Sequence, residues 1–490
     1  MVKDMTKGNP MKIIIRFCLP LLLGNLFQQF YNMADTIIVG KFVGKMALSA
    51  VGSVGPLNFL VIGSILGLCT GFAIPIAQCF GAQDFKRLRK ITANIIYASI
   101  AMAVLLTILV VTFAKTLLRI LNTPEDIFQD AYNYIVIIFL GIGATMLYNI
   151  VSSIIRSLGD SKTPLYFLIF SSFLNIGLDL LFIIVFKMGV KGAALATVIS
   201  QLVSGILCLV FVIKNYPVLH FQEGDRKLDL KCIKALIGNG VPMALQFSIT
   251  AIGSVMLQSC VNTLGANAIA SMTIGARTQL MIVLPAEAIG ITMATYCGQN
   301  LGARKYDRIK KGVMNGTILA IAYSVVAFFI ARYLGSYMGL LFIDGSEVEV
   351  LALSQRFLDT CAWFYPILTF IFIYRNALQG LGHGTTAMFA GFFELAARGG
   401  VGFGFVLKYG FAAACFANPV AWFAADLLLV PAYLVVMKKL KRQFGNVEKI
   451  GAVTTNDWLW KNRKLHKRSG QNGFKCKPWK CISWKEDWWC

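Results

Sequence analysis

The sequence predicts an all-α polytopic membrane protein: twelve transmembrane helices forming two six-helix lobes related by a pseudo-two-fold internal duplication. Three observations carry that expectation. Of the 490 residues, 57% are hydrophobic and only 14% are charged, against roughly a quarter charged in soluble domains; the mean hydropathy is +0.68. The apolar stretches recur along the whole chain, each long enough to cross a hydrocarbon core of roughly 30 Å. Finally, the second half repeats landmarks of the first in the same order. The ten-residue alternation of an outer-membrane barrel is absent.

Taken in order, the first half carries spans at about 13–39, 50–79, 92–113, 131–155, 164–186 and 192–213. The second half carries spans at about 234–262, 267–297, 313–334, 352–378, 386–407 and 411–437. The chain thus divides into an N-terminal segment (1–12), a first lobe (13–213), a linker (214–232), a second lobe (233–437) and a basic tail (438–490) expected to be disordered. The basic N-terminus runs straight into a full-length span with no small-residue cleavage site, which reads as a retained helix and not a signal peptide.

The duplication is visible in paired stretches. "FVGKMALSAV" (Phe42–Val51) resembles "TLGANAIASM" (Thr263–Met272), and "QCFGAQDFKRLRK" (Gln78–Lys90) resembles "QNLGARKYDRIKK" (Gln299–Lys311), both at an offset of 221 positions. "RSLGD" (Arg156–Asp160) faces "QGLGH" (Gln379–His383). Several matches in one order at nearly one offset indicate duplication. Six spans per half is an even number, so both halves enter from the same side, the parallel-repeat plan of many transporters.

The formal net charge of +23 is a topology signal and not a nucleic-acid footprint. Lys86, Arg87, Arg89 and Lys90, then Lys214, Arg226, Lys227 and Lys231, then Arg304, Lys305, Arg308, Lys310 and Lys311 all fall on one side. Only scattered basic residues fall on the other. By the positive-inside rule this places both termini in the cytoplasm, in a bacterial cytoplasmic (inner) membrane. Lipids and small organic molecules are the partners expected, and the protein is expected to work as a monomer.

The twelve cysteines show no disulfide framework or metal spacing. In the tail, which mixes Lys, Trp and Cys from Trp458 to Cys490, Cys476 and Cys481 form a C-x4-C pair that is weak as a zinc signal. His220, His383 and His466 lie far apart, and no nucleophile cluster or aspartate-rich motif is present. An enzyme is therefore not expected, nor a cofactor or resident metal.

Polar residues inside the spans mark the candidate site. A carboxylate at mid-bilayer costs about 2.5–3.5 kcal/mol on insertion scales, so each needs a reason. Gln28, Asn32 and Asp35 lie four and three apart, on one helical face. Ser172, Asn175 and Asp179 repeat the arrangement in the fifth span; Thr197, Gln201 and Ser204 form a stripe in the sixth; the fourth offers Asn149 and Ser152. Amides and hydroxyls of this kind also serve as interhelical glue. Two aspartates with no cation nearby on their own helices are harder to explain that way. Two carboxylates in one low-dielectric cavity cannot both ionise cheaply, so the pair suits a coupling ion: a proton, or Na⁺ held by carboxylates together with Asn175 and Thr197.

In the second half the positions matching Asp35 and Asp179 fall at Met256 or Leu257 and near Gly400–Gly402, so ion chemistry is expected in the first lobe alone. The seventh span carries the uncharged residues Gln246 and Thr250. Glu287 either pairs with Arg277 or lines the pathway, Glu394 and Arg398 are spaced for an internal ion pair, and Asp426 has no assigned partner.

Read in chain order, "ADTIIVGKFVG" (Ala34–Gly44), "RSLGDSKTPL" (Arg156–Leu165), "LNIGLDLLFI" (Leu174–Ile183), "GVKGAALATVISQ" (Gly189–Gln201) and "GQNLGA" (Gly298–Ala303) resemble the multidrug and toxic compound extrusion (MATE) family, in its bacterial DinF-like branch. The resemblance covers about residues 10–440. It implies a cation-coupled antiporter that exports amphipathic, often cationic, organic compounds in exchange for H⁺ or Na⁺ as two lobes rock. It also implies that Asp35, Asn175, Asp179 and Thr197 bind the coupling cation. Ser152 stands where such relatives carry a cavity amide. Ile249 and Leu368 stand where the NorM-like branch carries acids, so no second-lobe cation site of that kind is expected. The alternatives are a lipid-linked oligosaccharide flippase, which would want cationic cavity residues, and less readily a membrane-embedded enzyme.

Overall fold

A computed structural model describes residues 3–121, 123–343 and 345–466, and among them every regular element is helical. The first half comprises α1 (Pro10–Phe42), α2 (Lys45–Ser53), α3 (Gly55–Gly81), α4 (Phe85–Ile120), α5 (Glu125–Leu140), α6 (Ile142–Ser157), α7 (Lys162–Leu180) and α8 (Val190–Asn215). The second comprises α9 (Leu230–Asn262), α10 (Ala266–Gly302), α11 (Tyr306–Phe329), α12 (Gly335–Gly339), α13 (Val348–Ala362), α14 (Tyr365–Gly380), α15 (Gly384–Val401), α16 (Leu407–Tyr409) and α17 (Phe411–His466). Among the described residues ten helices are long and apolar enough to cross a membrane, and counting each of two bent pairs as one span makes twelve.

Local chemistry explains the ends. Asn9 caps α1 by accepting from the N–H groups of Met11 and Lys12 at 2.9 and 3.4 Å, and Pro10 occupies the first turn, where no N–H is needed. Asp84 caps α4 through the Arg87 N–H at 3.0 Å, and Asp229 caps α9 through those of Lys231 and Cys232. The fourth span of each half is broken, by 46° between α5 and α6 and by 59° between α13 and α14. Gly141 sits at the first break, and Pro366 opens the helix after the second. Five-residue π-helical turns end the fifth span of each half, at Leu181–Val185 and Gly402–Val406.

The duplication extends to the backbone. Gly44 and Gly265, Gln83 and Arg304, and Gly189 and Gly410 are pairs 221 positions apart, and all six have positive φ. For Gln83 and Arg304 that conformation is one L side chains seldom adopt, so its recurrence marks two copies of one loop.

The described residues up to Tyr433 form one compact unit, and those from Leu434 onward fall in a second. Within the first, the two halves meet along α3 against α9 and α10, and α1 against α10. The contact is reciprocal: a Cβ at Gly81 would lie 1.8 Å from the Gln299 carbonyl oxygen, and one at Gly302 would lie 1.8 Å from that of Gln78. Gln299 Nε2 donates to Ser157 O at 2.8 Å and Gln78 Nε2 donates to Gly380 O at 3.1 Å, both across the halves. These contacts lie beside the first turns of α4 and α11, where Lys86–Lys90 and Arg304–Lys311 fall, which makes this the basic face.

Residues 3–9 lie across the same face as a strap. The Lys3 N–H donates to Leu158 O at 3.2 Å in the first half. In the second half, the Met5 N–H donates to Gln299 Oε1 at 2.9 Å, and Arg308 donates to the carbonyls of Met5 and Gly8 at 3.0 and 2.8 Å. Lys305 Nζ donates to Thr6 O at 2.8 Å, and the Met5 side chain is 1% exposed.

The interhalf linker is docked as well. Arg89 pairs with Asp225 at 2.6 Å, Lys90 pairs with Asp229 at 2.6 Å, and Asn94 Oδ1 accepts the Asp229 N–H at 2.9 Å. The expected tail differs in part: the chain from 438 onward stays helical as far as His466. The remainder of that tail, with Cys476 and Cys481, lies outside the described residues.

Candidate functional site

Three helices of the first half bring together the four residues singled out as cation ligands. Asp35 comes from α1, Asn175 and Asp179 from α7, and Thr197 from α8. Asn175 and Asp179 are one turn apart on the same face and both are 0% exposed. Removing that pair from water without partners would cost several kcal/mol, and the neighbours supply part of the compensation.

In the orientation that satisfies both ends of its amide, Asn175 donates to Asp179 Oδ2 at 3.0 Å and accepts the Thr197 N–H at 3.2 Å. In the opposite orientation it donates to Thr197 Oγ1 at 3.4 Å. Thr197 Oγ1 donates to the Ala193 carbonyl at 3.1 Å and receives the Tyr31 hydroxyl at 3.5 Å. Asp35 and Asp179 lie close enough for each carboxyl to feel the other's charge. Asp35 Oδ1 and Asp179 Oδ1 are buried with no partner. Two such carboxyls cannot both ionise cheaply, and taking up one proton removes the like-charge repulsion.

The wider set of candidates divides. Gln201 Oε1 accepts from Thr145 Oγ1 at 2.6 Å, joining α8 to α6. Asn149 donates to its own helix at Thr145 O, 2.8 Å. Ser152 is fully buried and its Oγ is unpartnered. Gln28 is half-buried and Asn32 is exposed on α1. Gln246 accepts from Gln379 Nε2 at 3.0 Å, and Thr250 donates to Gln246 O at 3.0 Å, so these two belong to the second half's interior. Glu287 is half-buried on α10 while Arg277 is exposed, and among the described residues the two form no ion pair.

Sequence reasoning missed three participants. Tyr31 lies four residues before Asp35, a spacing that identifies it in hindsight. Tyr134, buried near both aspartates, comes from α5 and carries no local signal. Arg375 of α14 ion-pairs with Glu394, which Arg398 also contacts at 3.3 Å. The expected Glu394–Arg398 pair thus gains a third member from a different helix.

Among the described residues no group of three or more His, Cys, Asp or Glu side chains is arranged to hold a metal ion.

Comparison with known proteins places this geometry in context. Residues 20–181 and 242–399, most of both halves, match the family described as MatE. The chain is 34% identical over 386 residues to the "Probable multidrug resistance protein YpnP" of Bacillus subtilis, covering 77% of this chain and 84% of that one. It is 28% identical over 282 residues to the "Probable multidrug resistance protein NorM" of Thermotoga maritima, covering 56% and 60%. In fold it is similar to a MATE crystallised in complex with MaL6, at a TM-score of 0.83 and 22% identity over 90% of this chain and 99% of the other. It is likewise similar to an outward-facing MATE transporter of the MOP superfamily, at a TM-score of 0.84 and 22% identity over 89% and 98%.

Proposed function

The chain belongs to the MatE family of multidrug efflux transporters, and from that premise we propose that it is a proton-coupled antiporter of amphipathic organic cations. The single observation that carries the reading is the neighbouring pair Asp35 and Asp179, each with one buried oxygen lacking a partner. A buried pair of carboxyls of this kind suits the uptake of one monovalent cation.

The amide supports a proton as the coupling ion. In its satisfied orientation Asn175 turns its nitrogen to Asp179 and commits its oxygen to the Thr197 N–H. That leaves two carboxyls and a threonine hydroxyl, a poor oxygen cage for Na⁺ but a complete arrangement for a shared proton. Na⁺ remains the second reading, favoured if the amide turns over and presents its oxygen.

The halves are packed together on the basic face, which the positive-inside rule assigns to the cytoplasm. On this reading the structure is closed towards the cytoplasm, and Asp35 and Asp179 load protons from the opposite side. A ligand shifts such an equilibrium only by its differential affinity for the two states, so a few kcal/mol from protonation suffices. Ion and substrate need not touch.

The test is Asp35→Asn expressed in a drug-sensitive host. Resistance should fall to the level of the empty vector while membrane abundance is unchanged; undiminished resistance would remove the assignment.

A further inference from the structure

The second half contains a site built like the first half's, filled differently. Gly189 and Gly410, both at positive φ, start the sixth spans, and Thr197 and Asn418 lie at the same register beyond them. In the first half the fifth span reaches across to this position through Asn175, which bonds Thr197. In the second half it reaches across through Arg398, whose Nε donates to Asn418 Oδ1 at 3.3 Å. The fourth spans correspond too: Ser152 precedes Gly159, and Arg375 precedes Gly382, by the same interval, and both glycines have φ of +85°.

What fills the two sites differs in charge. The first-half site presents carboxyls with open oxygens. In the second half, Arg398 Nη2 is 3.3 Å from Glu394 Oε2, and Arg375 holds the other Glu394 oxygen. Asp426 of α17 belongs to the same field of charges, with both oxygens buried and unpartnered. Both guanidiniums thus converge on the single carboxylate of Glu394. Arg398 is 6% exposed, its Nη1 has no hydrogen-bond partner, and the side chain packs over Gly253 of α9, where a Cβ would lie 3.4 Å from Nη1.

We propose that the second lobe carries a latent monovalent-cation site, the counterpart of the proton site, held permanently by the tethered guanidinium of Arg398. Removing that side chain leaves Glu394 with one of its two guanidinium partners and Asn418 Oδ1 without its donor. The ligand class that fits there is a planar monovalent cation with several N–H donors. The native protein then has one exchangeable cation site and not two, a consequence that rests on the antiporter reading of the first lobe.

The experiment uses purified full-length protein and guanidinium chloride at low millimolar concentration, well below denaturing levels. Arg398→Ala in an Asp35→Asn background should show saturable guanidinium binding by calorimetry and a rise in unfolding temperature of about 2–4 °C at saturation. Asp35→Asn alone, with its guanidinium tethered, should show neither. Equal responses in the two proteins, or none in either, overturn the proposal. If Arg398→Ala is recovered folded only when extracted with guanidinium present, that rescue supports it, and failure of guanidinium to recover it counts against it. Arg398→Lys, which keeps a cation in place, should retain efflux within about threefold; loss of efflux in that folded variant would also overturn it. Failure of the antiporter reading itself would be seen separately, as normal efflux by Asp35→Asn with Arg398 intact.

Discussion

Gly71 of α3 meets Gly240 of α9 so closely that a Cβ on Gly71 would lie 2.5 Å from the Gly240 Cα. Backbone meets backbone there, so no side chain can swing aside. Gly71→Val should therefore wedge the halves apart on the basic face. Overpacking of this kind typically costs about 1–3 kcal/mol, enough to shift a two-state transporter strongly away from the closed form. Efflux in vesicles should fall at least tenfold with the protein still folded. Gly52→Ala, where nothing lies within 4 Å, is the control and should leave efflux unchanged. Normal efflux by Gly71→Val would mean that this contact is dispensable to the cycle.

The strap offers a second test. Arg308 holds the carbonyls of Met5 and Gly8 from the second half, while Lys3 bonds Leu158 in the first. Hydrogen bonds to a charged donor contribute about 1.5–3 kcal/mol each. Arg308→Ala should loosen residues 3–9, seen as at least tenfold faster exchange of the Met5 amide hydrogen. Undiminished protection would show that burial of the Met5 side chain holds the strap without Arg308.

Within the first-half site the two neighbouring side chains differ in weight. Asn175→Ala leaves Asp179 Oδ2 without its donor at 3.0 Å, and should reduce efflux more than tenfold. Tyr31→Phe removes only a long contact of 3.5 Å to Thr197, and should change efflux less than threefold. Concentration dependence of resistance in isogenic strains reads both. The reverse order would place the coupling chemistry at Tyr31.

Docking of the linker depends on acid. Lys90 beside Asp229, with N–H donors from Lys231 and Cys232, lowers the Asp229 carboxyl to about 2, and Arg89 with the Gln222 N–H lowers Asp225. Both groups are depressed in the folded state, so their contribution is complete above the unfolded value of about 4 and fades as pH falls through the folded values. Hydrogen exchange of residues 222–229 should be pH-independent, after correction for intrinsic rates, from pH 7 to about 4, and should rise below it. Asp229→Asn should weaken protection at neutral pH and flatten that rise. A transition centred near pH 6 would point to another group.

The spans were legible because length and hydropathy alone define them, and the shared offset of 221 foretold the paired loops around Gln83 and Arg304. The meeting of Asp35, Asn175, Asp179 and Thr197 followed from polar stripes at helical spacing. What could not be read came from tertiary packing. The breaks at Gly141 and before Pro366 sit within unbroken apolar runs, where hydropathy is blind to direction. Tyr134 and Arg375 reach their partners from helices distant in sequence. Arg398 looked like half of an i,i+4 pair with Glu394, and only the fold reveals that it spans to Asn418 in the register of Thr197. The strap is too short and polar to leave any periodic trace.

The central claim is that a shared proton at Asp35 and Asp179 drives export. Reconstituted vesicles carrying a fluorescent organic cation, energised separately by a pH gradient and by a Na⁺ gradient, test it most directly. The account predicts transport under the pH gradient alone, abolished in Asp35→Asn and in Asp179→Asn. Transport under the Na⁺ gradient alone, or full pH-driven transport by either variant, would contradict it.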